Sequence, residues 1–192
     1  MMKNLKIDIK PWIVYFTVIV LSAYVHEVGH CIPAWVNGYG AVPTPAKEYI
    51  GPISPDLQLY VSLGGVLGSI IFSVLGILWY QFKPHIYSSV FLAGAILTPG
   101  VYSLRFLLAG RGHDATEFQE AQAALGFSYN GHSLDWIFLL LFLVGALSWI
   151  IRNKPNYKTF GRLLIGFVLS FIFMGAFQKL NNFIFDPFFL PQ

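Results

Sequence analysis

The sequence predicts an all-α integral membrane protein with about five transmembrane helices. Of its 192 residues 56% are hydrophobic and only 11% charged, against about 25% charged in soluble domains. The apolar residues gather into five runs of roughly spanning length, and most Lys and Arg residues sit at the ends of those runs. The net charge of +3 and pI near 9.0 therefore describe membrane flanks rather than one basic patch. The expected surroundings are a lipid bilayer, with no nucleic acid as partner.

A helix crossing about 30 Å of hydrocarbon needs roughly 20 mostly apolar residues. Residues 11–32, 58–82 and 86–109 meet this by length and composition, and 134–151 and 160–178 are shorter candidates. Breakers mark the joints: Pro33 with Gly38 and Gly40, the run Pro43, Pro45, Pro52 and Pro55, then Lys83-Pro84, Gly110 to Gly112, and Asn153 to Asn156. The tail "FDPFFLPQ" is too short to span and suits an aromatic interfacial anchor. The first run leads into polar residues rather than a small-residue cleavage site, so no cleavable signal peptide is expected. Residues 1–192 read as one polytopic membrane domain. Cys31, the single cysteine, has no partner for an internal disulfide.

Two features of the runs bear on packing and substrate. Gly64, Gly68 and Gly76 give the second run a small face suited to close helix contact. Pro99-Gly100 inside the third is expected to kink it and free a carbonyl. Segment 37–58 is rich in Gly and Pro yet carries Val42, Tyr49, Ile50 and Ile53. It reads either as a plain loop or as an extended, strand-like element beside the membrane site.

Positive charge gives an orientation. Lys3, Lys6, Lys10, Lys83, Arg152, Lys154, Lys158 and Arg162 lie on one side, and Lys47, Arg111 and Lys179 on the other. The positive-inside tendency then puts the N-terminus in the cytoplasm. Whatever the absolute sense, the ends of the first and third spans reach the same membrane face. Those ends carry "HEVGH" and "GRGHDATEF".

Within "YVHEVGH", His26 and His30 are one helical turn apart and about 40° apart in azimuth, so both imidazoles converge on one point. Glu27, next to the first imidazole, is placed to take a proton from a metal-activated water and return it to a leaving amine. This is the logic of H-E-x-x-H. With five His and four Glu in the chain, chance produces the pattern roughly 0.003 times, which favours a functional origin. Ionisable groups at membrane depth cost roughly 2.5–3.5 kcal/mol each and mark function by default.

Catalytic zinc takes three protein ligands and keeps a fourth position open. The end of the third span supplies the candidates. Asp114 is the first choice, with Glu117 and His113 as alternatives. A purely structural reading of the same stretch makes Asp114 an N-cap and Glu117 its capping-box partner on a short helix. His85 and His132 read as loop histidines. Arg105, inside the third run, either snorkels to the surface or pairs with Glu117 or Asp114.

"HEVGH" closing a first span, "GGVLGSIIF" in a second and an aspartate at the end of a third together resemble the site-2 protease family of intramembrane zinc metallopeptidases. The resemblance covers residues 11–118, a three-helix metalloprotease core, and leaves 134–192 as accessory helices. It implies a Zn2+ cofactor bound by His26, His30 and Asp114, with Glu27 as general base. It further implies hydrolysis of a peptide bond in a membrane-embedded protein or peptide substrate, by a multi-pass protein of a prokaryotic plasma membrane. The chain departs from the family pattern in carrying Thr98 before Pro99 and Ala115 after Asp114. Two other classes fit the same residues: a non-catalytic membrane subunit that keeps a metal site, and a zinc hydrolase of a lipid-linked, non-peptide substrate.

Overall fold

Helix α1 (Lys10–Val36) opens with Pro11 in its first turn, where a missing N–H costs nothing, and runs straight through the HEVGH sequence. The two histidines therefore lie inside the helix, with Val36 its last residue. The computed structural model describes residues 9–110, 115–155 and 157–189. After α1 the chain forms a hairpin of β1 (Ala41–Thr44) and β2 (Lys47–Ile50), antiparallel, in register from Ala41 opposite Ile50 to Thr44 opposite Lys47. The Gly/Pro-rich segment is thus an extended element, not a plain loop. Ser54 caps α2 (Pro55–Phe82), accepting from the Leu57 N–H at 3.3 Å.

The third span is broken. It comprises α3 (Ile86–Ala95) and α4 (Leu97–Ala109), joined at Ile96. Pro99 has no N–H for the Ala95 carbonyl four residues earlier. Ser73 of α2 covers that freed oxygen, its hydroxyl proton lying between Ala95 O at 2.9 Å and Ser69 O at 2.8 Å. The short α5 (Ala115–Ala124) follows, then α6 (Ser133–Asn153) and α7 (Tyr157–Phe189). Among the described residues five helical stretches are long and apolar enough to cross a membrane: Lys10–Val36, Pro55–Phe82, Ile86–Ala109, Ser133–Asn153 and Ile165–Phe189. The all-α membrane fold expected from the sequence is the fold observed. The last helix exceeds its expected range, running through Pro187 to Phe189, so residues 185–189 continue the helix instead of forming a separate anchor.

Packing between α1 and α2 is backbone to backbone. Pro33 leaves the Gly29 carbonyl without its helical donor, and that oxygen lies where a Cβ on Gly64 would be. The converse overlap holds for a Cβ on Gly29, and a Cβ on Gly68 would stand 2.7 Å from the Val25 carbonyl oxygen. Gly76 serves the other neighbour, lying against Ala95 of α3. A second core of Val66, Tyr102, Phe118, Ala121, Leu134 and Phe138 ties α2, α4, α5 and α6 together. His85 and His132 are helix N-caps: His85 accepts from Ser88 N at 2.9 Å, and His132 Nδ1 lies 3.0 Å from Asp135.

Gly64→Ala is expected to lower unfolding stability by about 1–3 kcal/mol, because the added methyl has only backbone to displace. Gly175→Ala in α7, where a Cβ meets nothing, is expected to be neutral or to stabilise by up to about 1 kcal/mol. Thermal unfolding of the two purified variants tests the contrast, and equal effects would refute close α1–α2 contact.

Candidate metal centre

The face of α1 that carries His26 and His30 is turned toward α2 and α5. Gly65 makes room for it, since a Cβ there would overlap the His30 ring. His30 Nδ1 lies 2.8 Å from the Val61 carbonyl oxygen. A carbonyl only accepts, so Nδ1 carries the proton and Nε2 presents its lone pair. His26 Nδ1 lies 3.0 Å from the Ser69 hydroxyl. The two Nε2 atoms face one another at 3.0 Å, with the rings perpendicular.

Helix α5 brings a carboxylate to the pair. Glu117 Oε1 is 3.4 Å from His26 Nε2 and 3.7 Å from His30 Nε2. Its helix is held firmly. Phe118 packs edge-on to Tyr102 and against Phe138. Gln122, almost fully buried, donates to the Gly131 carbonyl at 2.9 Å and accepts from Leu134 N at 3.2 Å. One turn beyond Glu117, Glu120 accepts from the Ser62 hydroxyl at 2.5 Å and from Gln58 at 3.2 Å. Val61 and Ser62, adjacent on α2, thus fix one imidazole and the helix that carries the carboxylate.

Glu27 is buried, and its Oε2 has no hydrogen-bond partner among the described residues. Glu48 of β2 faces it, and the ligand atoms of Glu27, His30 and Glu48 lie within 4.8 Å of one another. Burial pushes the Glu48 carboxyl up, but the facing Glu27 carboxyl and the His30 and His26 imidazoles outweigh that and hold it below the ordinary carboxylate range. His26, His30 and Glu117 also fall within 4.8 Å. His30 has only one lone pair left, and it points at His26 and Glu117, so these three form the better donor set.

Strand alternation explains how Glu48 arrives. Lys47 and Tyr49 look the other way, to Asp186 of α7, at 3.1 and 2.6 Å. Burial pushes the Tyr49 hydroxyl up, and its bond to the Asp186 carboxylate helps carry it to about 12. Asn181 of α7 adds a bond to Thr44 at 3.0 Å, and Phe189 packs on Tyr49. The Gly51 N–H to Gly40 O bond sets the ladder's phase, turning Glu48 and Ile50 outward on one edge and Ala41 and Pro43 on the other. Pro43 has no N–H, and the Ala41 carbonyl accepts from the Trp35 indole at 2.9 Å. The β1 edge is therefore blunted, and on the β2 edge the Glu48 backbone faces the Glu27 carboxyl.

The structure carries His26, Glu27 and His30 on α1 and sets Glu117, one of the alternative third ligands of the sequence reading, beside the two imidazoles. Asp114 and His113 lie outside the described residues. Arg105 is exposed on α4 and pairs with none of the described residues, Glu117 included. Sequence reasoning missed Glu48. Its one signal was the alternation of "KEYI" after a Pro-Ala turn. Comparison with family models, curated proteins and solved structures finds no match to this chain.

Ser69→Ala removes the group that orients His26. If the two imidazoles hold zinc, the substitution is expected to weaken that binding about 10- to 100-fold in a chelator-competition titration of the detergent-solubilised chain. Unchanged affinity would show that Ser69 does not position the imidazole.

Proposed function

We propose that this chain is an intramembrane zinc metallopeptidase of the site-2 protease kind, cutting a peptide bond of a membrane-embedded substrate. His26, His30 and Glu117 are the metal ligands in this reading and Glu27 the general base. One observation carries it. Atoms bound about 2.0–2.2 Å from a single tetrahedral ion stand about 3.3–3.6 Å apart, and the three donor atoms here are separated by 3.0, 3.4 and 3.7 Å. Two imidazoles and a carboxylate are also a catalytic rather than a structural zinc set. The buried Glu27 carboxyl beside them, with one oxygen unengaged, supports hydrolysis over mere metal storage.

When bound, zinc would polarise the scissile carbonyl and lower the pKa of water from about 15.7 toward about 7. Glu27 then accepts the proton as water oxygen bonds to the carbonyl carbon. It delivers that proton to the nitrogen as the C–N bond breaks, leaving a carboxylic acid and an amine. Substrate helix must be unwound for this attack. The β2 edge, with Glu48 and Ile50 turned outward, can pair an extended segment through main-chain hydrogen bonds, with Glu48 marking the point nearest Glu27.

The test is zinc content and cleavage of a single-span membrane reporter by the purified full chain. Wild type is expected to hold one zinc and to cleave. Glu27→Gln should keep the metal and lose about 10²–10⁴-fold in rate. Glu117→Ala should lose the metal while Asp114→Ala keeps it, and the opposite pattern would move the third ligand to Asp114. Zinc without Glu27-dependent proteolysis would instead point to a metal-binding subunit or a hydrolase of a non-peptide substrate.

A further inference from the structure

Helix α7 is the loosest of the spans: 11% of its membrane window is buried, against 50% for α2. It meets the bundle through Tyr15 and Ser170, whose hydroxyls are 2.8 Å apart, through Phe16 against Phe173, and through the hairpin at its far end. On the side of α3 and α6 its first half stands away. Two adjoining cavities of about 280 and 450 Å3 open there, sharing Tyr15, Ala93 and Trp149 in their walls.

The walls differ along the length of this crevice. Its outer part holds Arg162, just ahead of the span that starts at Ile165, with Trp12 and Ser89. Its inner part is hydrocarbon and aromatic, reaching Gly100 in the third span past Leu92, Ile96, Phe142 and Phe167. Polar groups on the way are already committed: the Trp149 indole donates to Ser89 at 2.6 Å. Arg162 is exposed at the mouth and makes no hydrogen bond or ion pair among the described residues.

A dry slot with a guanidinium at its mouth fits a molecule with an anionic head and a hydrocarbon tail. Water has too few polar partners in the inner part to fill it. We propose that the crevice between α7 and helices α1, α3 and α6 is a binding site for one anionic phospholipid. The phosphate lies on Arg162, whose planar fork suits two phosphate oxygens, and one acyl chain fills the slot. The lipid thereby supplies packing that the chain itself does not give α7. This site is independent of the metal centre, and its test involves neither zinc nor proteolysis.

The full chain is delipidated in detergent and titrated with palmitoyl-oleoyl phosphatidylglycerol or with the phosphatidylcholine of the same chains, and the retained lipid is counted by native mass spectrometry. One phosphatidylglycerol is expected to be held about fivefold more tightly than phosphatidylcholine, the weight of one cation at a membrane surface. Arg162→Gln should bring that ratio to near one, while Lys83→Gln, whose residue does not line the crevice, leaves it unchanged. Ala93→Phe narrows the slot and should reduce retention of both lipids. Ala146→Leu does the same from the opposite wall, should the first variant not fold. Equal retention of the two lipids by wild type, a preference that survives Arg162→Gln, or no retained lipid at all would overturn the proposal.

Discussion

With hydrogens for side chains, Gly29 and Gly64 let α1 and α2 approach until one helix's carbonyl fills the space a methyl would take on the other. The remaining geometry of the centre depends on that distance. His30 reaches a main-chain carbonyl of α2, and His26 reaches a hydroxyl two turns further along. At an ordinary interaxial distance of 8–10 Å, neither bond is assured, and both rings would be free to rotate. The close approach converts a flexible pair of imidazoles into two fixed lone pairs.

A second constraint is that polar groups in hydrocarbon must be satisfied within the protein. The chain meets it by borrowing donors across helices. Ser73 covers the carbonyl freed by Pro99, Ser62 and Gln58 hold Glu120, and Asn153 reaches the Tyr80 hydroxyl at 2.6 Å. Among the described residues, buried oxygens without a hydrogen-bond partner occur at Glu27 and at Asn181 and Asn182 of α7. In the proposed reaction the Glu27 carboxyl is the one that takes a proton.

Much of this was legible in the sequence. Five apolar runs, the one-turn spacing of His26 and His30, and the return of the third span's end to the same face all follow from length and period. The kink at Pro99 was legible too, though Ser73 as its remedy was not, because a donor 26 residues away leaves no local mark. The candidate third ligand was left open among three side chains since "HDATEF" offers two carboxylates and an imidazole within about one turn. Which of them faces α1 depends on how Phe118, Gln122 and Glu120 seat the helix, and that is tertiary information. The hairpin was legible only as one of two readings, loop or strand-like element, for a similar reason. Glycine and proline advertise a turn, but four-residue strands carry too little alternation to be read alone.

The alternation of β2 carries one more consequence, for error correction. Sliding the strand by a single position would swap its faces and set the Glu48 carboxylate against that of Asp186. On the α7 side, the Lys47–Asp186 attraction of the observed alignment is thus replaced by carboxylate against carboxylate in the nearest wrong one. A short ribbon, too small to fix its own alignment by apolar burial, has it proofread by a single aspartate on a distant helix.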